Sequence, residues 1–249
     1  MLELDINGGG VAVLTLCRPP VNAMSAEWVT RFNGLLDELQ GRSDWSVLHL
    51  RSAQKIFCAG ADLKQLHDNF GGDMEAQLDL GRSYQRLFQR VQDLDAVTLA
   101  ELGGTALGGG LELALACDLR IASARAKFGF PEVTLGLIPG AGGTQRLSWL
   151  CGRAVASRLI LSGETITAAE AHRIGLVQWC VEPEQIAEEA ARIAARIAAF
   201  PRHATVGAKS AIFAAAEPGV DGFARETEVV RSCFESAVTR GLVVAFLAR

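Results

Sequence analysis

Apolar and polar positions follow two different periods along this chain, and the dominant period changes partway. Residues 2–6 and 11–17 alternate with period two on either side of Asn7-Gly8-Gly9-Gly10, which predicts a β-hairpin. Over 25–40 the apolar residues Trp28, Val29, Phe32, Leu35, Leu36 and Leu39 recur at helical spacing, and Gly41 ends the helix. The run 47–51 reads as a buried strand leading into Phe57-Cys58-Ala59-Gly60-Ala61-Asp62, where a new helix begins. The pattern continues with a helix over 74–93, a strand over 97–102, a short apolar helix over 109–117 and a strand over 118–123. Strand, loop and helix thus repeat at loosely similar spacing, without a detectable sequence repeat.

Beyond Gly143 the helical period takes over. Helices are expected at 143–151, 153–161, 167–173, 183–199, 202–216 and 221–239, with one strand at 176–181. Thr167-Ala168-Ala169-Glu170 is a capping-box signature that marks one helix start. The chain therefore divides into an α/β unit, 1–185, and a helical C-terminal region, 186–249, with no low-complexity linker between them. The alanine- and arginine-rich stretch 187–199 reads as the solvated face of an amphipathic helix.

Composition narrows the function. A chain of 249 residues, 49% hydrophobic and 21% charged, can bury a sizeable core and is not a disordered protein. A net charge of −4 offers no global basic field for nucleic acid or an anionic membrane surface. No apolar run approaches the ~20 residues needed to span a bilayer, and the acidic start Met1-Leu2-Glu3-Leu4-Asp5 does not resemble a signal peptide. The six cysteines show no CxxC pair, which suits separate thiols in a reducing, cytoplasmic setting rather than a metal site or disulfides.

The candidate chemistry lies in two glycine-bounded motifs. Glu112 sits in Ala106-Leu107-Gly108-Gly109-Gly110-Leu111-Glu112-Leu113-Ala114, and Glu132 in Phe128-Gly129-Phe130-Pro131-Glu132-Val133. Carboxylates among small and apolar residues tend towards raised pKa values, and two converging on one pocket suit acid–base chemistry at neutral pH. The glycine run does not fit G-x-G-x-x-G, and there is no P-loop, G-x-S-x-G elbow or H-E-x-x-H. Glycines directly before an apolar helix can instead aim free N–H groups at a ligand, aided by the helix dipole. Phe57 to Asp62 offers a second such turn, so the pair can supply two donors to one oxyanion.

At this point a resemblance becomes specific. Lys55-Ile56-Phe57-Cys58-Ala59-Gly60-Ala61-Asp62-Leu63-Lys64, the stretch 106–118, and the stretch 128–147 with its Ile138-Pro139-Gly140-Ala141-Gly142-Gly143-Thr144-Gln145-Arg146 segment resemble the crotonase superfamily, above all its enoyl-CoA hydratases. The likeness covers nearly the whole chain. It implies an α/β spiral of ββα units with a C-terminal helical trimerisation region, assembled as a homotrimer or a dimer of trimers. It implies an acyl-CoA thioester whose carbonyl lies between the amides of Ala61 and Gly109, with Lys55, Ala59, Ala61, Asp62, Leu63, Lys64 and Gly109 contacting the substrate. Lys55 and Lys64 match positions that meet the CoA phosphates or adenine. Coenzyme A is then part of the substrate, and neither a separate cofactor nor a metal is implied.

The two glutamates, twenty positions apart as in that family's pattern, point to hydration of a trans-2-enoyl-CoA. Glu112 and Glu132 would position and activate water for attack at Cβ, with Glu132 delivering the proton to Cα. Such chemistry serves fatty acid β-oxidation as well as amino acid and aromatic degradation. Double-bond isomerisation through Glu132 is the alternative reaction; a non-catalytic acyl-CoA- or RNA-binding role is the alternative class. Two departures stand out: Gly103-Gly104-Thr105 replaces the usual Asn-Gly-aromatic run, placing a change next to the expected oxyanion site, and little tail follows 241–247. Acyl-chain selection is expected of side chains such as His67, Phe70 and Leu135.

Overall fold

The structure is a computed structural model that describes residues 1–68, 71–217 and 219–248. Strands β1 (Leu2–Ile6) and β2 (Val11–Leu16) pair antiparallel, with Leu2 opposite Leu16. The Asn7 side chain fixes the turn by accepting from the N–H groups of Gly9 and Val11. Helix α1 (Ala26–Gln40) starts at Ser25, whose hydroxyl accepts from the Trp28 N–H; such a cap contributes ~1 kcal/mol. There follow β3 (Val47–Ser52), α2 (Leu63–Asp68), α3 (Met74–Gln92), β4 (Val97–Leu102), β5 (Ala106–Leu107), α4 (Gly109–Leu115), β6 (Leu119–Ser123) and β7 (Lys127–Gly129). A 3-10 turn over Pro131–Leu135 precedes α5 (Gly143–Ser162), β8 (Thr165–Thr167), α6 (Ala168–Arg173), β9 (Trp179–Val181), α7 (Ile186–Ala198), α8 (Arg202–Ala214), α9 (Gly222–Glu235) and α10 (Ala237–Leu247).

The main sheet runs β1-β2-β3-β4-β6-β9, parallel throughout except for the hairpin. Its inner strands are covered on both faces, so they read as nearly continuous apolar runs; all six residues of β4 are buried. One face, with Leu48 and Leu50, packs into the larger core beneath α1 and α3. The other face, with Val47, Leu99 and Ile121, packs against Ile186, Ala190, Ile193 and Ala194 of α7. Helices α8, α9 and α10 carry the exposed apolar side chains Ile212, Phe223, Phe234, Val244, Phe246 and Leu247.

Several elements differ from the expectation. The helices expected at 143–151 and 153–161 form one element, α5, bent at Gly152 with φ 82°. The helix expected at 221–239 breaks at Ser236, whose extended backbone separates α9 from α10, and α10 takes in the stretch 241–247, where no element is expected from the sequence. The strand expected from 176 begins only at Trp179, because the amides of Leu176 and Val177 both turn back to the Ala171 carbonyl and close α6. The capping box is half formed: Thr167 accepts from the Glu170 N–H, but the Glu170 carboxylate binds Arg158 and Arg173 instead of reaching back.

A second sheet, β5-β7-β8, has strands of two or three residues. It is extended by isolated parallel bridges, Cys58 to Ala106 and Met24 to Ala61. Those bridges draw three distant stretches of sequence into one place.

Candidate active site

The Met24–Ala61 bridge determines where the Ala61 amide points. Met24 donates to the Gly60 carbonyl and Asp62 donates to the Met24 carbonyl, so the intervening Ala61 N–H faces the opposite side. Gly109 is the first residue of α4, and its N–H is one of the helix's unpaired leading donors. Among the described residues neither N–H has a protein acceptor. The two turns touch: a Cβ on Gly60 (φ +97°) would lie 3.0 Å from the Gly109 nitrogen, and a Cβ on Gly109 would lie 3.5 Å from the Ala61 nitrogen. Glycine is required for this approach, and the result is a pair of adjacent, unpaired donors.

Both glutamates line the cavity that these donors face, a space of about 260 Å³ also walled by Met24, Leu66, Leu80, Tyr84 and Ile138. Glu112, in the first turn of α4, is 3% exposed. Its Oε1 accepts from the Ala141 N–H at 2.8 Å and the Gly143 N–H at 2.7 Å, at the N-terminus of α5. Burial pushes its pKa up, while these two amides and the Arg146 guanidinium partly hold it down.

Glu132 is placed differently. The 3-10 turn starting at Pro131 aims it back towards Gly108, where a Cβ would meet its Oε1 at 2.7 Å. Its Oε2 is buried with no hydrogen-bond partner among the described residues. Burial first, and the neighbouring Glu112 charge as well, push its pKa up to about 7. Such an arrangement can offer two N–H donors to an oxyanion beside one carboxyl fixed by amides and one whose raised pKa suits proton transfer near neutral pH.

The remaining predicted residues divide. Ala59, Ala61, Asp62, Leu63 and Gly109 line the cavity. Asp62 also caps α2 by accepting from the Lys64 and Gln65 amides and pairs with Arg18 at 2.8 Å, which holds its carboxyl below the usual range despite some burial. Lys55 and Lys64 are exposed and outside the cavity wall. Leu135 is on the wall and His67 is not, while Phe70 lies outside the described residues. The divergent Gly103-Gly104-Thr105 is not on the wall either. Its backbone packs behind the donor strand, where a Cβ on Gly104 would fall 2.1 Å from the Lys55 carbonyl oxygen.

Met24, Leu80 and Tyr84 escaped sequence reasoning. Tyr84 is the chain's single tyrosine, on the apolar face of α3, and its hydroxyl donates to the Met24 carbonyl at 2.8 Å. A buried phenol that needs a partner was the available signal. Among the described residues no cluster of three or more His, Cys, Asp or Glu could hold a metal, and no helix is long and apolar enough to cross a membrane.

The fold, with its paired free amides and facing carboxyls, is that of a crotonase-type α/β protein. A family profile described as enoyl-CoA hydratase/isomerase matches residues 7–248, and the chain belongs to that family. It is 36% identical over 248 residues to a short-chain-enoyl-CoA hydratase of Clostridium acetobutylicum, covering 97% of this chain and 92% of that one. A crotonyl-CoA hydratase of Syntrophomonas wolfei is 35% identical over 242 residues, covering 96% and 92% respectively. The crystal structure of an enoyl-CoA hydratase from Bacillus anthracis superposes with a TM-score of 0.93 at 33% identity, over 99% of this chain and 96% of that one.

Proposed function

We propose that this protein is an enoyl-CoA hydratase that adds water syn across the trans-2 double bond of an enoyl-CoA thioester, giving the 3-hydroxyacyl-CoA. The observation that carries the reading is the pairing of two unsatisfied amides, Ala61 and Gly109, with two inequivalent carboxyls in one cavity. The thioester oxygen sits between the amides, which stabilise the enolate-like charge that develops there as Cβ is attacked. Glu112, fixed through Oε1, orients the water and takes its proton. Glu132, with a pKa of about 7, holds a proton much of the time at neutral pH and delivers it to Cα. Proton exchange between the two carboxyls then restores the starting state.

The acyl group lies along Met24, Leu80 and Tyr84, and the CoA phosphates lie towards Lys55 and Lys64. Coenzyme A arrives as part of the substrate, and no separate cofactor has a role in these steps. The reading includes a homotrimer or a dimer of trimers, supported by the exposed apolar side chains of α9 and α10; with α7 seated on the main sheet, α8–α10 supply the assembling part of the 186–249 region. It includes a cytoplasmic location, supported by six free cysteines.

The test is crotonyl-CoA hydration by Glu112→Gln and Glu132→Gln. Each is expected to lose about 10²–10⁴ in kcat, the range for a positioned acid or base; near wild-type rates in both would refute the assignment. The free Glu132 Oε2 also suits isomerisation, in which one carboxyl moves a proton between Cα and Cγ. A Glu112→Gln variant that isomerises a 3-enoyl-CoA at the wild-type rate would transfer the assignment to that reaction.

A further inference from the structure

The loop 140–143 holds Glu112, and something must hold the loop. Its Gly142 has φ +106°, a conformation that nothing in its own side chain stabilises. A polar stripe on α3 supplies the support. Gln85 donates to the Gly140 carbonyl at 2.7 Å. One and two turns further along the same face, Gln89 and Gln92 accept from the Arg146 guanidinium, at 3.1 Å from Nη2 and 2.8 Å from Nε. The remaining nitrogen, Nη1, donates to the Ala141 carbonyl at 3.1 Å. Arg146 is 8% exposed; its bond to the Ala141 carbonyl is buried, and those to Gln89 and Gln92 are part-buried. It fills the space beneath Gly142 so closely that a Cβ there would sit 2.1 Å from Nη1.

We propose that Arg146 is a positioning residue: braced on Gln89 and Gln92, it clamps the Ala141 carbonyl so that the Ala141 and Gly143 amides converge on Glu112 Oε1 and leave Oε2 aimed at the water. A planar fork of fixed geometry suits this task, because three acceptors in different directions are met by one rigid group. Its charge also favours the ionised form of Glu112. The inference rests on the hydratase reading for its effect on rate, and on geometry alone for its effect on the loop.

The experiment compares the wild type with Arg146→Met, Arg146→Lys and Gly142→Ala on crotonyl-CoA. Arg146→Met is expected to lower kcat about 10–100-fold, the usual cost of losing an outer-shell partner, with KM changed less than about threefold because the thioester contacts lie elsewhere. Arg146→Lys keeps the charge without the fork and should recover only part of that loss. Gly142→Ala drives a methyl into Nη1 and should reproduce the methionine phenotype with Arg146 still present. Wild-type kcat in Arg146→Met, or a fall that merely tracks the folded fraction, overturns the proposal, as does full recovery with lysine. If the methionine variant does not fold, the lysine and alanine variants decide on the same criteria. Amide exchange in the free protein separates this inference from the hydratase reading: the Ala141 and Gly143 amides should exchange about tenfold faster in Arg146→Lys, the measure of a weakened charge-assisted bond. Unchanged exchange overturns the clamp whichever reaction the protein catalyses; faster exchange without enoyl-CoA hydration by the wild type upholds the clamp and removes the reading.

Discussion

Glu112 and Glu132 are the same residue in the same cavity, yet the chain surrounds them with opposite chemistry. Glu112 projects from a regular helix and is answered by two amides at the start of α5 and by a nearby guanidinium. Glu132 projects from a 3-10 turn, keeps a buried oxygen with no partner among the described residues, and titrates at about 7. The donors around Glu112 cost it freedom and stabilise its charge. Around Glu132 burial outweighs the single backbone hydrogen bond the carboxyl accepts, and the pKa rises to about 7. In the proposed mechanism these different surroundings make one carboxyl the orienting base and the other the proton donor.

The strongest way to break this comparison is to remove each carboxyl's charge in turn. Glu132→Gln deletes the exchangeable proton and should lower crotonyl-CoA hydration towards the upper end of the ~10²–10⁴ range. Glu112→Gln keeps an oxygen that can still accept from both amides, so its loss should be the smaller of the two. The double variant should be little worse than Glu132→Gln, because groups acting as a unit are not additive. Equal losses that multiply in the double variant would mean the carboxyls act independently.

A milder perturbation leaves both carboxyls and moves one. Gly108→Ala places a methyl 2.7 Å from Glu132 Oε1 at a φ of +50°, and Gly143→Ala places one 2.9 Å from Glu112 Cγ. Each should cost ~1–3 kcal/mol of stability, the usual range for overpacking, measurable by urea unfolding. Gly108→Ala should shift the pH dependence of kcat, because it displaces the titrating group. Gly143→Ala should lower kcat without moving that dependence.

pH offers a smaller and more diagnostic signal. A folded Glu132 with a pKa of about 7, raised from 4.5, keeps a proton that the unfolded chain loses first. Its contribution therefore favours the folded state below 4.5 and is lost as pH rises towards about 7, so stability falls across that window. Glu112 and Asp118 are raised too and add slopes of the same sign, while the lowered Asp62 opposes them. The useful quantity is the difference: a Tm profile of Glu132→Gln should be flatter between 4.5 and about 7 than the wild type's. Parallel profiles would show that Glu132 is not held protonated. Hydration by the wild type should also decline above about pH 7 as the donor ionises.

Most of the main sheet and the helices around it could be read from periodicity, because Trp28, Phe32 and Leu36 on α1, or the fully buried β4 with its four apolar residues, repeat a burial pattern over several turns or residues. The second sheet could not. Strands of two or three residues such as β5 and β7 carry no period, and their pairing joins Ala106 to Phe128 across a whole helix and strand. The site divides in the same manner. Glu112, Glu132 and the two amide turns announce themselves by composition. The clamp on Glu112 does not, because Gln85, Gln89 and Gln92 look like an ordinary solvated helix face until Arg146 is folded against them. The break at Ser236 was hidden for a related reason: the apolar spacing continues on both sides of it, and only the extended backbone at Ser236 separates α9 from α10.

The smallest expected effect belongs to Lys55 and Lys64, outside the cavity wall, where the contrast is with the interior as a whole. Inside the cavity, Glu112 is buried and held by two fixed amides. Lys55 and Lys64 are exposed, and a CoA phosphate meeting either would remain solvated. An exposed ion pair contributes ~0.2–1 kcal/mol, so Lys55→Ala or Lys64→Ala should raise KM for crotonyl-CoA no more than about fivefold and leave kcat alone. The effect should shrink as ionic strength rises from about 0.01 M to 1 M, as the screening length contracts from roughly 30 Å to 3 Å. A fall in kcat with either lysine variant would place that side chain at the reacting atoms instead of at the nucleotide end. A KM effect that survives high salt would mean the lysine is drawn in and desolvated when substrate binds.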